Sequence, residues 1–363
     1  MITINNFLPS KSEKIAGLLS AVKNIEKATE IYKIKSYLYS ADKLPFILQN
    51  KNFIRNLENL DISADINHSH GLWKSPSLIS SYFKEKNNIP NIISPHGMLD
   101  PWALNQSKFL KKVYFKFKEI NYLSNCSCIH ALCKSEKNAI KNLGIKNRVE
   151  IIPNAVDMPD LKLINNKNFS FFDKEESLIF KDYPYFLFLG RFHKKKGIFQ
   201  LLNAWKKMQE KKLSNIYLVL AGFGDLKKIK NIIYKNDIRR VLLVGPCFGD
   251  KKNQLLSNCS SFVLPSLSEG LPMAVLEALS WGKLCLITKE CNLDDAYNEG
   301  GAYKIDLRED LLFKNIEYWS NKIIKDPNEV YLNGMKGREL IAEKYTYRIV
   351  GQKLMNLYYS VLK

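Results

Sequence analysis

The sequence predicts an α/β protein made of two Rossmann-like halves, each a parallel sheet with helices packed on it. Three observations carry this. Strand-length apolar runs alternate with helix-length amphipathic runs along the chain, the order that parallel sheets require. At 363 residues the chain is about two domains long and able to bury sizeable cores. Between Pro159 and Tyr183 it turns polar and irregular, as a linker between the halves does.

In the first half, strands are expected near 1–5, 29–34, 65–69, 91–94, 127–131 and 149–152, where short apolar runs are bounded by polar or turn residues. Helices are expected near 12–27, 50–58, 75–85, 106–124 and 135–142, where apolar residues recur at helical spacing. The second half has sharper boundaries. Its strands fall near 185–190, 216–221, 241–245, 261–265, 284–288 and 302–305, and its helices near 197–210, 225–235, 251–257, 272–281, 310–325 and 327–344. A last helix is expected over about 347–362.

The most informative stretch runs from Ser268 to Gly282, Ser-Glu-Gly-Leu-Pro-Met-Ala-Val-Leu-Glu-Ala-Leu-Ser-Trp-Gly, between the apolar runs 261–265 and 284–288. Strand, loop, helix and strand follow one another. Gly270 lets backbone N–H groups approach a ligand closely. Pro272 suits a first helical turn, where its missing N–H costs nothing. A helix N-terminus beside a glycine loop is a site for phosphate. Glu269 in the loop and Glu277 on the helix each bring a carboxylate able to accept sugar hydroxyls.

A second basic loop follows Phe186-Leu-Phe-Leu-Gly190 and reads Arg-Phe-His-Lys-Lys-Lys-Gly-Ile198. Ligands of open α/β sheets sit at the carboxyl ends of strands. There Arg191 and Lys196 would meet a diphosphate, the arginine as a fork and the lysine as a point charge. Lys194 and Lys195 read as solvent-facing. His96 follows the strand 91–94 in Ser94-Pro-His-Gly and sits at a strand's carboxyl edge, as a hydrogen-bonding group rather than a nucleophile. His68, His70 and Trp73 occupy a similar loop and read either as acceptor contacts or as packing. Gly222-Phe-Gly224-Asp and Val244-Gly245 end two further strands; as a dinucleotide fingerprint the first lacks its third glycine.

Together these motifs resemble the retaining glycosyltransferases of the GT-B fold, the GT4-like family. The E-x7-E pair of Glu269 and Glu277, the G-R-x4-K-G element at Gly190 to Gly197 and the Pro-Asn-Ala-Val-Asp turn at 153–157 carry the resemblance. It implies a GT-B architecture, two Rossmann-like domains facing across a cleft, with 1–157 binding acceptor, 158–345 binding donor and 346–363 packing back on the first domain. It further implies that Arg191 and Lys196 stabilise the leaving diphosphate, that Glu269 holds the donor sugar's hydroxyls and that Glu277 accepts from the nucleotide ribose. Backbone groups of Gly270, Leu271, Pro272 and Met273 would cradle sugar or phosphate. Gly190 and Gly222 would approach the nucleotide and Gly245 its base, while His96 would contact the donor sugar or its phosphate. The departing phosphate itself would take the acceptor's proton. The usual glycine-rich loop after the first strand is absent, with Phe7-Leu-Pro-Ser-Lys-Ser12 in its place.

The function expected is transfer of a sugar from a nucleoside diphosphate sugar to a hydroxyl of a glycan, with a lipid-linked oligosaccharide acceptor in a surface-polysaccharide pathway such as O-antigen synthesis. A GT-B sugar-nucleotide epimerase is the nearest alternative, and a basic nucleic-acid-binding protein a more distant one. No cofactor and no metal are expected, since Arg, Lys and a helix dipole neutralise the diphosphate. Asp294 and Asp295 read as loop or cap residues rather than metal ligands.

The net charge of +19 has several possible causes. Lys, Asn and Ile are frequent throughout, and a peripheral contact with an anionic membrane surface fits the charge. The basic-aromatic run Lys108 to Lys118 reads as either a core helix or an interfacial one. Nucleic acid is not expected as a partner, because the basic residues form no stripe interleaved with stacking aromatics. The seven cysteines lack zinc spacing and read as reduced core thiols. Neither a signal peptide nor a run of 18 apolar residues is legible, so the expected location is the cytoplasm, with peripheral contact at the inner face of the membrane.

Overall fold

The structure is a computed structural model that describes residues 1–10, 15–40, 63–73, 75–105, 114–163, 167, 169–210 and 215–363. It divides into two compact units, Met1–Ala155 with Tyr345–Lys363, and Val156–Lys344. The expected helix 50–58 and residues 108–113 of the basic-aromatic run lie outside the described residues.

Among the described residues the first unit holds six parallel strands, β1 (Thr3–Leu8), β2 (Lys35–Ser40), β3 (Ile66–His70), β4 (Asn91–Ser94), β5 (Cys128–Ala131) and β6 (Val149–Ile151), in the order β2-β1-β3-β4-β5-β6. β1 pairs with β2 from Thr3 opposite Lys35 to Leu8 opposite Ser40. The second strand was expected at 29–34 and lies at 35–40. The helix Ala16–Glu30 claims the earlier residues, because its buried stripe of Ala21, Val22, Ile25 and Ala28 continues to Thr29. A left-handed Lys33 (φ 58°) then turns the chain into the strand. The C-terminal helix Tyr347–Leu362 packs in this unit, where Val350, Leu354, Leu357 and Tyr358 join Ile4, Ile25, Ala28 and Ile66 in one core.

The second unit has strands β7 (Tyr185–Leu189), β8 (Tyr217–Ala221), β9 (Val241–Gly245), β10 (Ser261–Leu264), β11 (Cys285–Ile287) and β12 (Ala302–Lys304). All are parallel, in the order β12-β11-β10-β7-β8-β9. The chain runs outward from β7 through β8 to β9, then returns to β10 beside β7 and runs out the other way. That reversal makes the carboxyl ends of β7 and β10 a topological switch point, the place where open α/β sheets bind ligands.

The second unit also departs from its sequence reading. Residues 174–182 of the expected linker form a helix, Lys174–Asp182, whose N-cap Asp173 accepts from the Glu176 amide at 2.8 Å. Phe180 on this helix packs against Phe169, Phe172 and Tyr185, with ring centroids 5.1, 4.9 and 5.4 Å away. The segment belongs to the core of the second unit. A helix Asp294–Asn298 was also not anticipated; Asp294 and Asp295 open it, and Asp295 pairs with Lys344 at 2.9 Å. All seven cysteines are buried thiols outside any disulfide.

Candidate functional site

At the switch point of the second unit, β7 delivers Gly190 and Arg191 while β10 delivers the loop that carries Glu269. The two loops are tied together, since the Leu267 amide donates to the Lys195 carbonyl at 2.8 Å. Gly197 takes a left-handed φ of 69°, and a Cβ there would lie 1.8 Å from the Pro265 carbonyl oxygen, so only glycine lets the loops meet. Lys196 then reaches across, its Nζ 2.5 Å from Glu269 Oε1. Ser266 donates its hydroxyl to the same oxygen at 2.6 Å. The Glu269 side chain is 9% exposed and that of Lys196 is 22% exposed, which strengthens the charge pair relative to one in water.

Glu269 is held from behind by Asn292. The Asn292 amide donates to the carbonyls of Glu269 and Gly270, both at 2.8 Å, and the Glu269 amide donates to the Glu290 carbonyl at 3.1 Å. Leu271 and Met273 are buried, and Pro272 stands at the N-cap of the helix Met273–Ser280. The first N–H groups of a helix have no partner within it, so this end is suited to an anion. Glu277, on the same helix, meets Lys252 from the helix Gly249–Asn258, with Nζ 2.7 Å from Oε1. Each glutamate of the E-x7-E pair therefore has its own lysine. Asn292 and Lys252 escaped the sequence reading because each lies far along the chain from its partner, and only the packing brings them together.

Gly190, Gly222 and Gly245 end three adjacent strands and are stitched in a row. The Gly190 amide donates to the Ala221 carbonyl at 3.0 Å, and the Gly222 amide to the Gly245 carbonyl at 2.7 Å. A Cβ on Gly222 would sit 1.8 Å from the Gly190 carbonyl oxygen, so close packing of strand ends requires glycine there whether or not a ligand comes near. Arg191 is exposed and forms no ion pair with another described residue.

In the first unit, four of the five histidines gather at the carboxyl ends of neighbouring strands. His68, His70 and His130 are fully buried, and His96 keeps part of its surface exposed. His130 Nε2 lies 2.7 Å from the Ile152 carbonyl, which can only accept, so this nitrogen carries the proton. Ser94 therefore donates its hydroxyl to His130 Nδ1 at 2.8 Å and accepts from His68 Nε2 at 2.7 Å. His68 Nδ1 in turn accepts from the Tyr358 hydroxyl at 3.1 Å. Both ring nitrogens of His68 are thus occupied, and its role is internal rather than acceptor-facing. Burial, and after it the neighbouring imidazoles, pushes His68 and His70 well below the usual histidine range; burial lowers His130 to about 4. All are neutral at physiological pH.

Glu119 anchors the loop after β3. Its Oε1 accepts from the Trp73 amide at 2.9 Å and from the Ser77 hydroxyl at 3.1 Å, and burial raises the carboxyl to about 7. Phe117 is exposed. No helix among the described residues is long and apolar enough to cross a membrane. Among the described residues no three His, Cys, Asp or Glu side chains are grouped so as to hold a metal ion.

Comparison with known proteins bears on the family and the fold. Residues 169–321 match the family model of glycosyl transferases group 1, and residues 23–159 match that of glycosyltransferase family 4. An uncharacterized glycosyltransferase of Methanocaldococcus jannaschii is 30% identical over 266 residues, which cover 73% of this chain and 64% of that protein. The match thus spans under two thirds of that relative's length. The Escherichia coli UDP-Gal:alpha-D-GlcNAc-diphosphoundecaprenol alpha-1,3-galactosyltransferase is 26% identical over 314 residues, 80% of this chain and 76% of its own. Among solved structures, HepE of Anabaena in complex with UDP and glucose superposes with a TM-score of 0.77 at 15% identity, covering 99% of this chain and all of that one. At that identity the likeness concerns the fold.

Proposed function

The chain belongs to the group 1 glycosyltransferases of the GT-B fold, and on that premise we propose that it transfers a sugar, with retention at the anomeric carbon, from a nucleoside diphosphate sugar to a hydroxyl of a lipid-linked glycan. The observation that carries this reading is the pairing of Lys196 with Glu269 and of Lys252 with Glu277 at the carboxyl end of a doubly wound sheet. Two carboxylates there suit sugar and ribose hydroxyls, and a helix N-terminus with Arg191 and Lys196 suits a diphosphate.

In this reading Glu269 accepts from the hydroxyls of the donor sugar and Glu277 from the ribose. Arg191, Lys196 and the amides at the start of the helix Met273–Ser280 stabilise charge that grows on the diphosphate as the anomeric C–O bond breaks. The acceptor oxygen bonds to the same face of the sugar, and its proton passes to the departing phosphate. His96 supplies a neutral imidazole to the donor. No metal is required, because the cationic side chains and the helix dipole offset the phosphate charge. The lipid-linked acceptor is supported by the acceptor named for the Escherichia coli relative and by the positive net charge, which favours an anionic bilayer surface.

A thermal-shift panel with UDP, GDP, ADP, dTDP and CMP tests the donor site. One diphosphate at about a hundred times its dissociation constant should stabilise the protein by about 2.7 kcal/mol. Glu277→Ala should weaken that shift, and no shift with any nucleotide would overturn the reading. The anomeric configuration of the product, read by proton NMR, tests retention.

A further inference from the structure

We propose that His70 and Glu136 are positioning residues that mount His96 with its Nδ1 lone pair turned outward as a hydrogen-bond acceptor. The proposal rests on the reading of His96 as a donor contact and adds how this chain sets the chemical form of that ring.

Strand order places the feature. β1 lies between β2 and β3, so the described chain runs from β1 to one side and then returns to the other, which makes β1 and β3 the switch point of the first unit. Asn6 sits on β1, His70 ends β3, and His96 lies just past β4. The three form a line, with Asn6 Oδ1 3.0 Å from His70 Nε2 and His70 Nδ1 3.0 Å from His96 Nε2. A carbonyl oxygen only accepts, so His70 Nε2 carries the proton. Buried among other imidazoles, His70 is neutral, which leaves its Nδ1 as an acceptor. His96 must then donate through Nε2. As a neutral ring, it keeps the lone pair on Nδ1, a nitrogen that makes no other hydrogen bond among the described residues.

The backbone of His96 is fixed separately. His96 (φ 53°) and Gly97 (φ 73°) take consecutive left-handed conformations, costly for the histidine unless something holds them. Glu136, buried on the helix Lys134–Asn142, provides the hold. Its Oε1 accepts from the Gly97 amide at 2.5 Å and its Oε2 from the Leu132 amide at 2.7 Å, which ties the loop to the end of β5. One group thus sets the position of His96 and another its tautomer. An acceptor at this point suits a sugar hydroxyl, whereas an N–H would suit a phosphate oxygen.

The test uses the full chain labelled with 15N-histidine, with signals assigned from single His variants. His96 should show a proton on Nε2 and a bare Nδ1 at neutral pH. His70→Asn places an amide oxygen where Nδ1 stood and should preserve this pattern; His70→Leu should abolish it. Glu136→Gln keeps one carbonyl but loses one of the two bonds, and should broaden or split the His96 signals while its circular dichroism stays that of the wild type. With UDP-glucose as probe and released UDP as readout, His70→Leu should lower kcat about tenfold or more with KM changed less than threefold, and His70→Asn should recover most of it. A proton on His96 Nδ1, as would follow if the Asn6 amide donated to His70 instead, overturns the proposal. So does equal behaviour of the Asn and Leu variants. If the tautomer is as stated but His96→Ala leaves UDP release unchanged, the mount stands and the donor-contact reading fails. The NMR arm decides even if UDP-glucose is not turned over.

Discussion

Lys252 shows how a residue of the candidate site is hidden until the chain folds. Its own helix gives no hint of a ligand, yet its ammonium lies 2.7 Å from Glu277 and fixes where that carboxylate points. Both side chains are partly exposed, so the pair is screened and contributes about 1 kcal/mol. Lys252→Ala should therefore weaken binding of the nucleotide selected by the thermal panel roughly fivefold. Glu277→Ala should weaken it more, roughly tenfold or beyond, because hydrogen bonds to a charged group are lost directly. Isothermal titration on both variants and on the double variant checks this; if the two effects simply add, the lysine does not act through the glutamate. The placement of Arg191, Lys196, Glu269 and Glu277 at the carboxyl end of the second unit's sheet was legible in the sequence because each sits in a short motif of fixed spacing. Lys252, Asn292 and the link from His70 to His96 were not, since no local pattern predicts which side chains meet across a sheet.

Among the elements, the strands and helices of the second unit follow from apolar runs and turn residues to within a few positions. The helix Lys174–Asp182 escaped that reading because its sequence is mostly polar. It forms through its Asp173 cap, acidic residues in its first turn and one buried side chain, Phe180. Phe180→Ala should destabilise the protein by about 3 kcal/mol, since it empties the centre of the cluster with Phe169, Phe172 and Tyr185. Urea denaturation followed by circular dichroism measures this. A loss under about 1 kcal/mol would mean that the segment is a linker after all. β2 shows the converse. Residues 29–34 have strand-like composition, but the buried stripe of the preceding helix outbids it, and the strand starts only at Lys35.

At the scale of the whole molecule, four neutral histidines in one unit make stability depend on pH. Burial holds His68, His70, His96 and His130 below the histidine value in an unfolded chain, about 6.5. As pH falls below about 6.5 the unfolded chain takes up protons that the folded one refuses, so stability present above that pH is lost toward pH 4. Glu119, raised to about 7, and Glu136, raised by burial, act oppositely: their stabilisation is full below the unfolded carboxylate value and disappears as pH rises through the folded one. Four groups outweigh two, so the melting temperature should drop between pH 7 and pH 5. Replacing His68 by Asn should flatten that drop. A melting temperature that holds or rises over the same range would show that the cluster is already charged.

By itself the sequence determined the α/β class, the division into two halves and the residues at the carboxyl ends of the second unit's strands, because apolar periodicity and short glycine-bounded motifs act over a few neighbouring residues. Only the tertiary structure decided that β10 returns beside β7, that Lys196 and Lys252 each take one glutamate, and that the order of protons from Ile152 to Tyr358 is set by a single carbonyl. Those outcomes depend on contacts between residues tens to hundreds of positions apart, where geometry and burial, rather than local preference, fix which groups must share a proton or a charge.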